Sequence, residues 1–146
     1  HHITAPCPDG SGAAKCMTLA MQDAQVSPQQ IDYINAHGTS THINDAGETK
    51  AVHTAFAAHA KELMISSTKS MTGHLLGGSG AVEAIFTVKA LQDGFVPATV
   101  NYQVKDEECD LDIVPNQGRK VQIQMAMSNS FGFGGHNASI IFQKMA

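Results

Sequence analysis

The stretch STKSMTGHLLGGSGAVEAIF, residues 67–86, sets one lysine and one histidine among glycines and serines. It runs straight into a segment with almost no polar face. Gly73, Gly77, Gly78, Ser79 and Gly80 leave room for neighbouring groups to close in. Lys69 and His74 are therefore read as the wall of a narrow pocket, not as solvated loop residues. Ala81, Val82, Ala84, Ile85, Phe86, Val88, Ala90 and Leu91 predict a helix over 79–93, buried between two layers. Gly94 stops it.

Toward the N-terminus, LMISST (63–68) is a short apolar run and reads as a buried strand leading into Lys69. Val52, Phe56 and Ala60 mark one face of a helix over roughly 45–60. Asp45 and Glu48 have capping-box spacing at its start. IDYINA (31–36) alternates as a strand and ends at His37-Gly38-Thr39-Ser40-Thr41. Met17, Ala20, Met21 and Ala24 predict a helix over 12–25, with Asp9 or Ser11 as its cap. Ser27-Pro28 breaks the pattern.

Toward the C-terminus, FVPATV (95–100) is extended but irregular, because Pro97 has no N–H for a ladder. Residues 105–120 read as a charged loop. VQIQMAMS (121–128) and ASIIFQK (138–144) form a hairpin around NSFGFGGHN. The order α, β, α, β, α, β, β, β predicts an α/β fold with a mixed sheet and helices on its faces. A unit of this kind that opens with a helix is expected to lack its first strand.

The totals narrow the partners. The chain has 146 residues, 42% hydrophobic and 15% charged, with a net charge of −4. That suits one globular domain, 1–146, and neither disorder nor nucleic-acid binding. No apolar run reaches the length of a membrane span, and no signal-peptide pattern is read. Cys7, Cys16 and Cys109 are odd in number without CxxC spacing, which predicts reduced thiols in a cytoplasm-like compartment. His37 and His42 are five apart, and His53 and His59 six apart. Neither pair shares a helical face, so no metal site is expected. His42, His53 and His59 are read as structural or exposed.

Three polar loops sit at predicted strand ends, where α/β folds gather their sites. They are NAHGTST with His37, TKSMTGH with Lys69 and His74, and NSFGFGGHN with Phe131 and Phe133. Singly, each has an ordinary reading: a hydrogen-bonded histidine, a solvated lysine, a core phenylalanine. Together they form a candidate acid–base and oxyanion set.

In this order, the three motifs resemble the C-terminal half of a β-ketoacyl-acyl-carrier-protein synthase, over essentially the whole chain. The closest resemblance is to the bacterial type II condensing enzymes. It implies a thiolase-like fold, here its C-terminal half: a mixed sheet packed on a buried helix layer, with the first strand missing. It implies a decarboxylating Claisen condensation that lengthens an acyl chain by two carbons. By resemblance, His37 and His74 stabilise the enolate oxygen, Lys69 orients them, and Glu83 is the buried partner of Lys69. Thr39 and Thr41 match residues that bind the pantetheine arm. Phe133 matches a gate whose backbone N–H serves an oxyanion hole, with Phe131, Gly132, Gly134 and Gly135 around the substrate.

The resemblance implies no cofactor beyond the phosphopantetheine that acyl carrier protein brings. Implied partners are acyl carrier protein, the protein's own N-terminal half and a second copy in a homodimer, in the cytoplasm. Lys61, Arg119 and Lys120 are candidate contacts for the acidic carrier. Two positions depart from the pattern: His136 stands where many relatives have threonine, and His42 where proline is usual. The nucleophilic cysteine of such enzymes lies in the other half, and none of Cys7, Cys16 and Cys109 fits it. These residues alone are therefore expected to be inactive. A polyketide ketosynthase, a non-catalytic chain-length factor and a stand-alone carrier-binding module are the alternatives. Retention of His37, Lys69 and His74 argues against the chain-length factor.

Overall fold

A computed structural model describes residues 2–145. Four strands form the main sheet in the order β2-β1-β5-β6. β1 (Tyr33–Asn35) runs parallel to both β2 (Met64–Ser66) and β5 (Met125–Phe131). β5 turns back into antiparallel β6 (Asn137–Gln143), from Met125↔Gln143 to Phe131↔Asn137. The C-terminal ends of β1, β2 and β5 therefore share one edge, and the three predicted loops leave from it.

Alternation along the strands divides two cores. Ile34 and Met127 face α1 (Ser11–Ala24) and α2 (His42–Phe56), among Met17, Met21, Val52 and Phe56. Tyr33 and Ala126 face the other side, with Ala90, Leu91, Val114 and Ile123. Burial on both faces explains why β1 carries no surface polar residue. Where α1 meets α2, a Cβ on Gly10 would lie 2.3 Å from the Gly47 carbonyl oxygen, so glycine permits that crossing.

Several boundaries move. α1 is entered through Gly10 at φ 69°, while the Asp9 carboxylate accepts the Ser11 N–H at 2.9 Å. α2 starts at His42, not at 45. It ends at Phe56 and passes into a 3₁₀ turn, Ala57–Lys61. The capping box does not form, because Glu48 faces inward. Only Met125 onward of the 121–128 segment is strand. Arg119–Lys120 (β4) pairs instead with Phe95–Val96 (β3), a short ribbon that ends before Pro97.

The helix over 79–93 forms with those bounds as α4 (Ser79–Asp93), after the short α3 (Lys69–Thr72). Its packing differs from expectation. The stripe it buries is Ser79, Glu83, Thr87, Ala90 and Leu91, while Ile85 is 61% exposed. A helix apolar nearly all round can bury only one side against a single layer. Its first turns bury polar residues because Glu83 and Thr87 meet Lys69 and Asn35 at the strand ends, while Ala90 and Leu91 continue the stripe into the apolar core.

The charged loop does not float. Glu108 meets His42 at 3.0 Å and Lys50 at 3.8 Å, and Asp110 pairs with His53 at 2.7 Å and with Lys61. The His53 and Lys61 bonds hold the Asp110 carboxyl down at about 2. Salt screens exposed pairs such as these, so amide exchange in 105–112 is expected to be several-fold more protected at about 0.01 M than at about 1 M salt. Equal protection at both values would count against an electrostatic latch.

Candidate active site

His37 follows β1 after Ala36 and is only 7% exposed. Glu48 holds it from behind: one carboxylate oxygen accepts the His37 N–H and the other the Gly38 N–H, each at 2.9 Å. Asn129 donates to the same carboxylate at 3.4 Å and is itself fixed by Ser139 at 2.8 Å. Burial pushes the Glu48 carboxyl up, and the two N–H donors and Asn129 oppose this. For His37, burial first, then the positive charge of Lys69, then His74 push the imidazole down to about 4. It is neutral at physiological pH. Its Nδ1 is sealed from solvent without a hydrogen-bond partner, so a ligand in the cavity meets the ring through Nε2.

His74 is reached by a turn at Gly73, whose φ of 71° suits glycine. Its Nδ1 accepts the Leu76 N–H at 3.0 Å and lies 3.1 Å from Ser79 Oγ, which accepts the Leu75 N–H at 2.9 Å. A nitrogen that accepts a backbone N–H carries no proton. The ring proton is therefore on Nε2, which can donate. The His37 and His74 rings stand edge to face, centroids 5.6 Å apart, and Phe131 lies 5.8 Å from His37. Ser40 and Leu76, in the two histidine loops, have φ of 62° and 51°. Left-handed backbone at non-glycine residues is costly and gathers at functional sites.

Lys69 points inward as expected. Its Nζ lies 2.5 Å from Glu83 Oε1, and both side chains are nearly fully buried. The pair lies beneath the histidines and does not line the cavity. Burial raises the Glu83 carboxyl, and Lys69 works against that rise.

Both histidines, Thr39, Thr41, Phe131, Gly132 and Phe133 line one cavity of about 990 Å³. The Thr39 and Thr41 hydroxyls are 3.0 Å apart. Phe133 is exposed at the mouth, and Gly134 is tethered by its N–H to the Ile3 carbonyl at 2.8 Å. Two candidate carrier contacts have internal partners: Lys61 holds Asp110, and Arg119 holds Asp112 in a forked pair. Cys7 lines the cavity but bonds to neither histidine, and Cys16 and Cys109 are also free thiols. Among the described residues no three metal-ligating side chains cluster.

Sequence reasoning missed Glu48, Asn35, Asn129 and Ser79. For Glu48 a signal existed. The face marked by Val52 and Phe56, extended back by four, reaches Glu48, which places a carboxylate on the buried side of α2.

Parallel strand ends carrying two facing imidazoles above a buried lysine–glutamate pair define a thiolase-like ketosynthase half. The β-ketoacyl synthase C-terminal domain matches residues 1–103. The chain is 54% identical to 3-oxoacyl-[acyl-carrier-protein] synthase 2 of Synechocystis and 52% identical to that of Staphylococcus aureus. Each match covers 99% of this chain and 35% of the relative. A β-ketoacyl synthase from Burkholderia phymatum superposes with a TM-score of 0.92 at 38% identity, over 99% of this chain and 35% of that one. A chain of the AntDE:AntF complex, a type II polyketide ketosynthase with its acyl carrier protein and a hexaketide, gives 0.97 at 38%, over 100% and 36%. The chain belongs to the β-ketoacyl synthase family, through its C-terminal domain. It spans about a third of the length of the curated relatives it matches.

Proposed function

We propose that this chain is the C-terminal half of a 3-oxoacyl-[acyl-carrier-protein] synthase. In this reading, malonyl carrier protein enters with its thioester oxygen between His37 and His74. The bond from the thioester's α-carbon to the carboxylate breaks and carbon dioxide leaves. The electron pair passes into an enolate whose negative oxygen meets two imidazole N–H donors. Such donors act strongly because they are already aimed where charge develops, in a site with little water. The enolate carbon then attacks an acyl thioester carried on a cysteine outside these 146 residues, and that thiolate leaves. Lys69 and Glu83 fix the charge beneath the histidines, Thr39 and Thr41 hold the pantetheine arm, and Phe133 gates the mouth.

The observation that carries this reading is the pair of imidazoles standing edge to face on one cavity, that of His74 with its proton placed on Nε2 by the Leu76 N–H. Acyl carrier protein is the proposed partner, and the structural relative solved with its carrier supports it. The exposed Ile85 face of α4 suits cover by the rest of the protein, as a homodimeric cytoplasmic enzyme. Fatty-acid synthesis is favoured over polyketide synthesis because identity is 52–54% to the former relatives and 38% to the latter.

The full-length protein, given malonyl and acyl carrier protein, is expected to release carbon dioxide and form a 3-oxoacyl product two carbons longer. The 146 residues alone are expected to form none. A full-length protein that releases no carbon dioxide would defeat the reading.

A further inference from the structure

The strand ends that carry His37 and Lys69 are joined by two side-chain links, Ser67 Oγ to the Gly38 carbonyl at 2.6 Å and the buried amide of Asn35 to Thr68. Asn35, two residues before His37, is fully buried. Its Oδ1 accepts the Thr68 hydroxyl at 3.2 Å. Its Nδ2 donates to the Glu83 carbonyl at 3.2 Å and to Thr87 Oγ1 at 3.3 Å. The Thr87 hydroxyl in turn donates to the Glu83 carbonyl at 2.7 Å, so its oxygen is free to accept. Thr68 directly precedes Lys69, and Glu83 is the residue whose carboxylate pairs with Lys69.

The backbone alone does not hold these ends together. Paired residues of β1 and β2 end at Asn35↔Ser66, followed by one bond from the Ala36 N–H to the Ser66 carbonyl at 2.9 Å. Past that point the chains diverge into two loops, and the side-chain bonds of Ser67 and Thr68 carry the register on. Neither Asn35 nor Thr68 lines the cavity that holds the histidines. Their effect reaches that cavity only through His37, Lys69 and Glu83.

We propose that Asn35 and Thr68 are positioning residues of the condensing reaction, their bond setting the spacing between His37 and the Lys69–Glu83 pair. This rests on the function proposed above. Lys69 is one of the charges that keep His37 neutral, so a change in that spacing alters both the aim of the imidazole and its titration.

The test uses the full-length protein and three variants. Thr68→Val keeps the shape and removes the donor, whereas Thr68→Ser keeps the donor. Thr68→Ala removes the donor without a methyl against Asn35 and replaces the valine variant if that does not fold. The donor-free variants are expected to lower kcat for malonyl decarboxylation about tenfold, one ordinary hydrogen bond expressed in the transition state. KM should be unchanged, and the acidic limb of the pH–rate profile should move to higher pH as His37 escapes the Lys69 charge. Thr68→Ser should restore both rate and profile. A purely structural bond would lower the melting temperature and leave kcat per active site and the profile unmoved. That result, or serine and valine variants that are equally slow, would overturn the proposal. A wild-type protein without decarboxylase activity would overturn the functional reading instead.

Discussion

Replacing His74 by alanine in the full-length protein is expected to slow malonyl decarboxylation about a hundred- to a thousandfold, the usual cost of one oxyanion donor. Stability should hardly change. His74 is exposed at the cavity rim, and among the described residues its hydrogen bonds are local, to Leu76 and Ser79. Surface substitutions of this kind usually stay within about 0.5 kcal/mol. Ser79→Ala separates aim from chemistry. It keeps the ring but removes the hydroxyl beside Nδ1, so a smaller loss, about tenfold, is expected. Stopped assays of carbon dioxide release, with melting curves in parallel, check both variants. A His74→Ala enzyme at half the wild-type rate would remove His74 from the mechanism.

Lys69→Met is expected to show the largest loss of stability. It leaves the Glu83 carboxylate buried without its cation, and breaking one side of a buried pair costs about 3–5 kcal/mol. The pH dependence then has a definite sign. Burial already raises the Glu83 carboxyl, and without Lys69 nothing comparable opposes that rise. The folded state then binds a proton that the unfolded state releases. Stability must fall as pH rises through the window above the ordinary carboxylate range. Denaturant unfolding of the variant at pH 5 and pH 8 should give the higher midpoint at pH 5. Adding Glu83→Gln should recover much of the loss and remove the pH dependence, while catalysis stays lost. A Lys69→Met protein equally stable at both values would mean that Glu83 finds other compensation.

Glu48 shows where sequence reading stopped short. Capping-box spacing and burial on the Val52–Phe56 face are both present in the same residues. Local pattern cannot say which wins. The structure resolves it through two backbone N–H groups, at His37 and Gly38, which would otherwise be buried without acceptors. Asn35 is a similar case. Within an alternating strand it reads as a polar position facing outward, yet its partners lie on Thr68, Glu83 and Thr87, distant in the chain.

The order of the three long helices and the main-sheet strands, the three loops at strand ends and the candidacy of His37, Lys69 and His74 could be read from the chain, while the short α3 and β4 could not. They rest on periodicity and on small residues, which act between neighbours in sequence. Which face of α4 turns inward and why His37 is neutral were decided only by tertiary contact. Each depends on groups distant in the chain, Asn35 against Thr87 and Lys69 near His37. Periodicity reports which residues share a face, but the energy of burying that face depends on what it meets.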